Sequence, residues 1–115
     1  MARYTCLVTV SNPEQSVVQS VGTTLESCNF DIIYETADYL VAREVPGGVA
    51  FPKLVTVEVL IDKKPEIEQT VQMNFVVKNE ELPLQVDNHC RQVFDRISKA
   101  IFENRSWELV EAVAG

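Results

Sequence analysis

Between Leu54 and Lys78 apolar and polar side chains alternate more strictly than anywhere else in the chain. Val71, Met73, Phe75 and Val77 fall on one side of an extended chain and Gln72 and Asn74 on the other, the pattern of a strand with one wet face. Upstream, Val55, Val57, Val59 and Ile61 face one way while Thr56, Glu58 and Leu60 face the other, and the stretch is rich in β-branched residues. Asp62-Lys63-Lys64-Pro65 separates the two runs with polar turn chemistry, and Pro65 has no N–H to give to a ladder. The pattern predicts an antiparallel pair in the middle of a sheet.

The other elements are placed around this pair. Tyr4 to Val10 reads as a first strand, and Asn12, Pro13, Glu14 and Gln15 carry the signals of a helix start: a cap, a first-turn proline, an acid at the positive dipole end and a capping-box partner. Val17, Val18, Val21, Leu25 and Cys28 form one helical stripe. Gly22 beside it points to a close approach between helix and strand, and Asn29 suits the left-handed residue that ends the helix. Phe30 to Tyr34 and Tyr39 to Val45 predict a hairpin turning at Glu35-Thr36-Ala37-Asp38. Pro46-Gly47-Gly48 begins the loop that leads to the central pair.

After the sheet closes at Asn79-Glu80-Glu81-Leu82-Pro83, Val86, Cys90, Val93, Phe94, Ile97, Ile101 and Phe102 recur at helical spacing. Asp87, Arg91, Asp95 and Lys99 form a charged ridge on the opposite side of this second helix, which ends at Asn104. Ser106 to Val113 predicts a last short strand, with Trp107, Leu109 and one of Ala112 or Val113 inward.

The expected fold is therefore α+β, a two-layer antiparallel sheet with two helices packed on one face, in the order β-α-β-β-β-β-α-(β). A ferredoxin-like fold with an inserted hairpin is the alternative. In either, Val71, Met73, Phe75 and Val77 pack against Val93, Phe94 and Ile97. In element order the chain resembles the half-domain of the TATA-box-binding protein and the helix-grip folds of lipid-transfer and birch-pollen-allergen proteins. No sequence motif of those families accompanies the order, so the resemblance is topological and implies no activity.

Composition narrows the function classes. With 115 residues the chain fits a single domain spanning 1–115. Ten basic against seventeen acidic residues make it acidic, with a net charge of −7. No basic stripe offsets that charge, which disfavours nucleic acid and anionic membrane as partners. No apolar run approaches the roughly 18 residues of a spanning helix, and the expected compartment is the cytoplasm. Cys6, Cys28 and Cys90 are widely spaced and odd in number, which suits reduced, buried thiols better than a disulfide framework or a zinc site.

Candidate chemistry is sparse. His89 is the only histidine and lies next to Cys90, but helical neighbours point about 100° apart and do not converge as nucleophile and base. Glu80-Glu81 and Glu66-x-Glu68 are carboxylate pairs expected in loops or strand ends, under water screening, and Gly47-Gly48 lacks the context of a phosphate loop. No catalytic residue, metal ligand or cofactor site is assigned, and the reading leans away from an enzyme. The wet face of the central pair carries Thr56, Glu58, Leu60, Gln72, Asn74 and Val76, a polar and apolar mixture that suits association. The expectation is a small cytoplasmic interaction or assembly protein, a homodimer or a partner-protein binder, joining through this face or an edge strand. The alternative is a binder of a small apolar ligand between the second helix and the sheet.

Overall fold

The structure is a computed structural model that describes residues 1–11, 13, 16–63, 70–82 and 88–114. Its elements are β1 (Ala2–Ser11), α1 (Val17–Ser27), β2 (Phe30–Glu35), β3 (Tyr39–Glu44), β4 (Thr56–Lys63), β5 (Thr70–Asn79), α2 (His89–Phe102) and β6 (Glu108–Ala114), with a short 3-10 turn at Phe51–Lys53. The strands form one six-stranded antiparallel sheet in the order β2-β3-β4-β5-β1-β6. Both helices pack against it, which is the α+β fold and element order expected.

β2 to β5 form the meander that the alternation predicts, with Val57 opposite Val77 and Val59 opposite Phe75 in the central ladder. β1 leaves sequence order: it lies beside β5, with Cys6 opposite Phe75, and takes β6 on its other side. The core between sheet and helices contains Val57, Val59, Met73, Phe75 and Val77 from the central strands and Val93, Phe94 and Ile97 from α2, all buried. Burying each such side chain contributes about 1.5–3 kcal/mol.

Several boundaries differ from the sequence reading. α1 begins at Val17 with Ser16 at its cap, where the Ser16 carbonyl accepts from the Ser20 N–H at 3.0 Å, so Pro13 lies outside the helix. The reason is β1, which stays paired in two ladders as far as Ser11, two residues before Pro13. Asn12, Glu14 and Gln15 lie outside the described residues, as do Lys64, Pro65, Glu66, Glu68, Pro83, Val86 and Asp87. Asp62 and Lys63 belong to β4 rather than to the turn, and Glu35 belongs to β2. Asn29 has φ 72°, the left-handed residue expected after α1, and its carbonyl accepts from Val45 N–H at 3.0 Å. A Cβ at Gly22 would meet Leu40 and Glu35 at 3.6 Å, which is contact between helix and strand without a clash.

The last strand departs furthest from expectation. Trp107 is buried, but it precedes β6, and every residue of β6 is exposed, including Leu109, Ala112 and Val113. β6 is an edge strand, and the register shift between Thr9 and Val10 leaves Val110 as an extra residue. Phe102, expected on the buried stripe of α2, is also exposed at the helix end. On the ridge of α2, Arg91 pairs with Asp95 at 3.2 Å and stacks over the rings of Tyr4 and Phe94.

Candidate functional site

On the side of the sheet away from the helices, the ladders line up side chains in rows that the sequence alone does not reveal. Val113, Leu7, Asn74, Leu60 and Tyr39 stand in one row across β6, β1, β5, β4 and β3. Thr5, Val76, Glu58, Val41 and Tyr34 form the next, across β1 to β2. In the first row Leu60 is 55% exposed, Val113 50% and Leu7 41%. Tyr34 and Tyr39 touch edge to face, with ring centroids 5.9 Å apart, and extend the apolar surface toward the β2 edge.

All six residues named from the wet-face alternation, Thr56, Glu58, Leu60, Gln72, Asn74 and Val76, occupy this face by register. Val76, however, is buried, only 8% exposed. It stands between Thr5 and Glu58 on the flanking strands, and Glu58 reaches along the face to Lys78 at 3.0 Å. Tyr39 and Val41 join the face from β3, the expected neighbour of β4, and Leu7 and Val113 from β1 and β6, whose neighbours are not legible in the sequence. For Leu7 a signal exists, because Thr5, Leu7 and Thr9 alternate with the buried Cys6 and Val8.

The opposite face holds a buried polar cluster where β3, β5 and α2 meet. Asn88 caps α2, accepting from Arg91 N–H at 3.1 Å. Glu81 also serves this helix end: its carboxylate accepts from the N–H groups of His89 at 3.1 Å and Cys90 at 2.9 Å, where the helix dipole favours an anion. Asn79 clamps the same carboxylate, donating its Nδ2 to Glu81 Oε1 while its Oδ1 accepts from Glu81 N–H. Burial alone would raise the Glu81 pKa. The bonds from Asn79, Cys90 and His89, together with the charge of His89, outweigh it and hold the carboxyl below its ordinary value.

Glu44, buried at the end of β3, completes the cluster. Its carboxylate lies 2.9 and 3.0 Å from His89 Nε2 and accepts from Val55 N–H at 3.1 Å. Glu81 is thus not the water-screened carboxylate expected of a loop, because the start of α2 folds over it, while its neighbour Glu80 is exposed. Glu44 gives no sequence signal beyond being an acid at an alternating, inward position.

This cluster binds structure together and has little capacity to react. His89 is committed to Glu44, and Cys90 Sγ points elsewhere, 3.5 Å from the carbonyl of Val77. Burial and the nearby Glu81 and Glu44 charges push the Cys90 thiol up to about 12, far from a reactive thiolate. Among the described residues no group of three His, Cys, Asp or Glu side chains can hold a metal ion. Cys6, Cys28 and Cys90 are all free and buried. Between α2 and the sheet, the cavity bounded by Phe75, Phe94 and Ile101 measures about 10 Å³, room for about one water. No described helix is long and apolar enough to cross a membrane.

No family model matches the chain, and no curated protein does. Among solved structures the chain is similar to a conserved protein from Geobacillus kaustophilus, with 12% identity over 95% of this chain and 99% of that one and a TM-score of 0.38. A likeness at that level carries no argument about fold or function.

Proposed function

We propose that the protein is a non-enzymatic association module that joins a second copy of itself or a partner protein through the open face of its sheet. The observation that carries this reading is the row Val113, Leu7, Asn74, Leu60 and Tyr39, an apolar band crossing five strands with a polar residue at its centre. Side chains exposed this way lie in one continuous surface, and burying them removes apolar area worth about 25 cal/mol per Å². Thr56, Gln72 and Glu58 around the band keep the free protein soluble, as in interfaces that open and close. The space directly under α2 has room for about one water, while an open hollow of about 330 Å³ beside it, lined by Cys6, Phe94, Phe102, Ala112 and Ala114, is where a small apolar ligand would lie in the second reading. A net charge of −7 directs the choice away from nucleic acid, and three unpaired thiols suit the reducing cytoplasm.

Leu60 is the residue with which to test it, because Val76, though on the same face, is buried and its replacement by Asp would report on stability instead. Light scattering at micromolar concentration is expected to show a dimer that Leu60→Asp converts to monomer with unchanged melting temperature. A monomer that also fails to capture any partner in a Leu60-dependent manner would overturn the proposal.

A further inference from the structure

One end of the open face differs from the apolar band. Four residues along the strands from that band, about 13 Å away, the register sets Arg3, Lys78, Thr56 and Arg43 side by side on β1, β5, β4 and β3. The turn Phe51–Lys53 is fastened against this end: Asn79 Nδ2 donates to the Lys53 carbonyl at 3.0 Å and Glu80 N–H to the Pro52 carbonyl at 3.2 Å. Between turn and sheet lies an open hollow of about 370 Å³, lined by Arg43, Lys78, Thr56, Phe51, Pro52 and Met1. That volume falls in the range of small-ligand sites, about 300–1,000 Å³.

Three features of the hollow point to an occupant. First, it gathers cations in a chain of net charge −7, and Arg43 has no ion-pair partner among the described residues although Asp31 is its cross-strand neighbour. Second, its rim is apolar and uncovered, with Phe51 81% and Met1 66% exposed.

Third, the floor is braced from beneath. Arg43, Thr56 and Lys78 each adjoin a residue of the buried polar system on the other face, respectively Glu44, Val55 and Asn79. That system holds the strand ends and the Phe51 turn in one arrangement. Burying two carboxylates and an amide is costly against an apolar core, and a fixed geometry on the opposite side of the sheet gives the cost a purpose.

We propose that this hollow binds a carboxylate whose apolar portion lies against Phe51. Arg43 offers the planar fork that matches a carboxylate, Lys78 a second cation beyond its bond to Glu58, and Thr56 a hydroxyl donor. Glu58 and Glu80 nearby offset part of the positive charge, which suits a singly charged carboxylate over a doubly charged phosphate. The carboxylate belongs either to a free aromatic or aliphatic acid or to the end of a peptide chain. The site stands apart from the apolar band, and neither proposal requires the other.

The test is amide NMR on the full chain, titrated with 3-phenylpropionate and with an acetylated dipeptide ending in Phe, each beside its uncharged amide. Saturable shifts at Arg43, Thr56 and Lys78 are expected with the acids and not with the amides. Arg43→Gln is expected to weaken binding at least about tenfold, as loss of a charge-assisted pair does, while Lys99→Gln on α2 leaves it unchanged. Tighter binding of the peptide supports a chain end as the source, and equal binding supports a free acid. Absence of saturation with either acid up to about 10 mM, equal binding of the amides, or indifference to Arg43→Gln would overturn the site.

Discussion

β4 and β5 present two surfaces made by the same backbone. Toward the helices, Val57, Val59, Ile61, Val71, Met73, Phe75 and Val77 are buried without a polar interruption, whereas Thr56, Glu58, Leu60, Gln72, Asn74 and Val76 alternate with them on the other side. Parity in the strand sets the face a residue joins ahead of its hydrophobicity, with Leu60 exposed and Glu44 buried, while Val76 is buried on the outer face between Thr5 and Glu58. The inner face carries bonded polar groups at the Glu44, Asn79 and Glu81 end, whereas Trp107 Nε1 in the same core is buried without a hydrogen-bond partner among the described residues. The outer face tolerates apolar groups because polar neighbours dilute them.

The sharpest way to break the comparison is to truncate one residue on each side at adjacent positions. Phe75→Ala is expected to cost about 3–5 kcal/mol through the cavity left against α2. Asn74→Ala, on the outer face, should stay within about 0.5 kcal/mol. Urea unfolding of the two variants checks this, and equal losses would mean that the register is wrong.

A smaller effect separates the apolar and polar parts of the inner face. Because Glu81 has a lower pKa folded than unfolded, it contributes stability that is fully present above the unfolded value of about 4.3 and is lost as pH falls through the folded value. Glu81→Gln is expected to cost about 1–3 kcal/mol at neutral pH and to flatten the acid limb of a stability curve measured from pH 7 downward. A substitution among the valines of the same face would leave the shape of that limb unchanged. The smallest expected effect is none: with Cys6, Cys28 and Cys90 free and buried, melting temperatures with and without reductant should coincide.

Period-two alternation makes the inner face of β4 and β5 legible in the sequence itself, and the three- and four-residue spacing does the same for α2. Both signals are local, carried by residues a few positions apart. Adjacency is not local. Nothing in Tyr4 to Val10 says that β1 lies against β5 rather than β2, and so the row through Leu7 and Val113 cannot be assembled from the sequence. The start of α1 differs from expectation for a related reason, since the cap signals around Pro13 are overridden by the two ladders that hold β1 out to Ser11. Glu81 reads as a loop acid because its partners, the first N–H groups of α2, become available only once the helix has formed over it.

The place of β1 bears on how the chain is made. Both its neighbours, β5 and β6, come at least about 60 residues later, so the earliest of these strands to leave the ribosome has no partner until nearly all the others have emerged. The β2 to β5 meander, by contrast, joins consecutive strands and can form as it appears. During synthesis β5 therefore offers an unpaired edge, and closing the sheet means inserting the oldest strand between two of the newest. Until β1 is inserted, that edge remains open to any extended chain that meets it, which makes the delay between β5 and β1 the moment of greatest risk for misassembly.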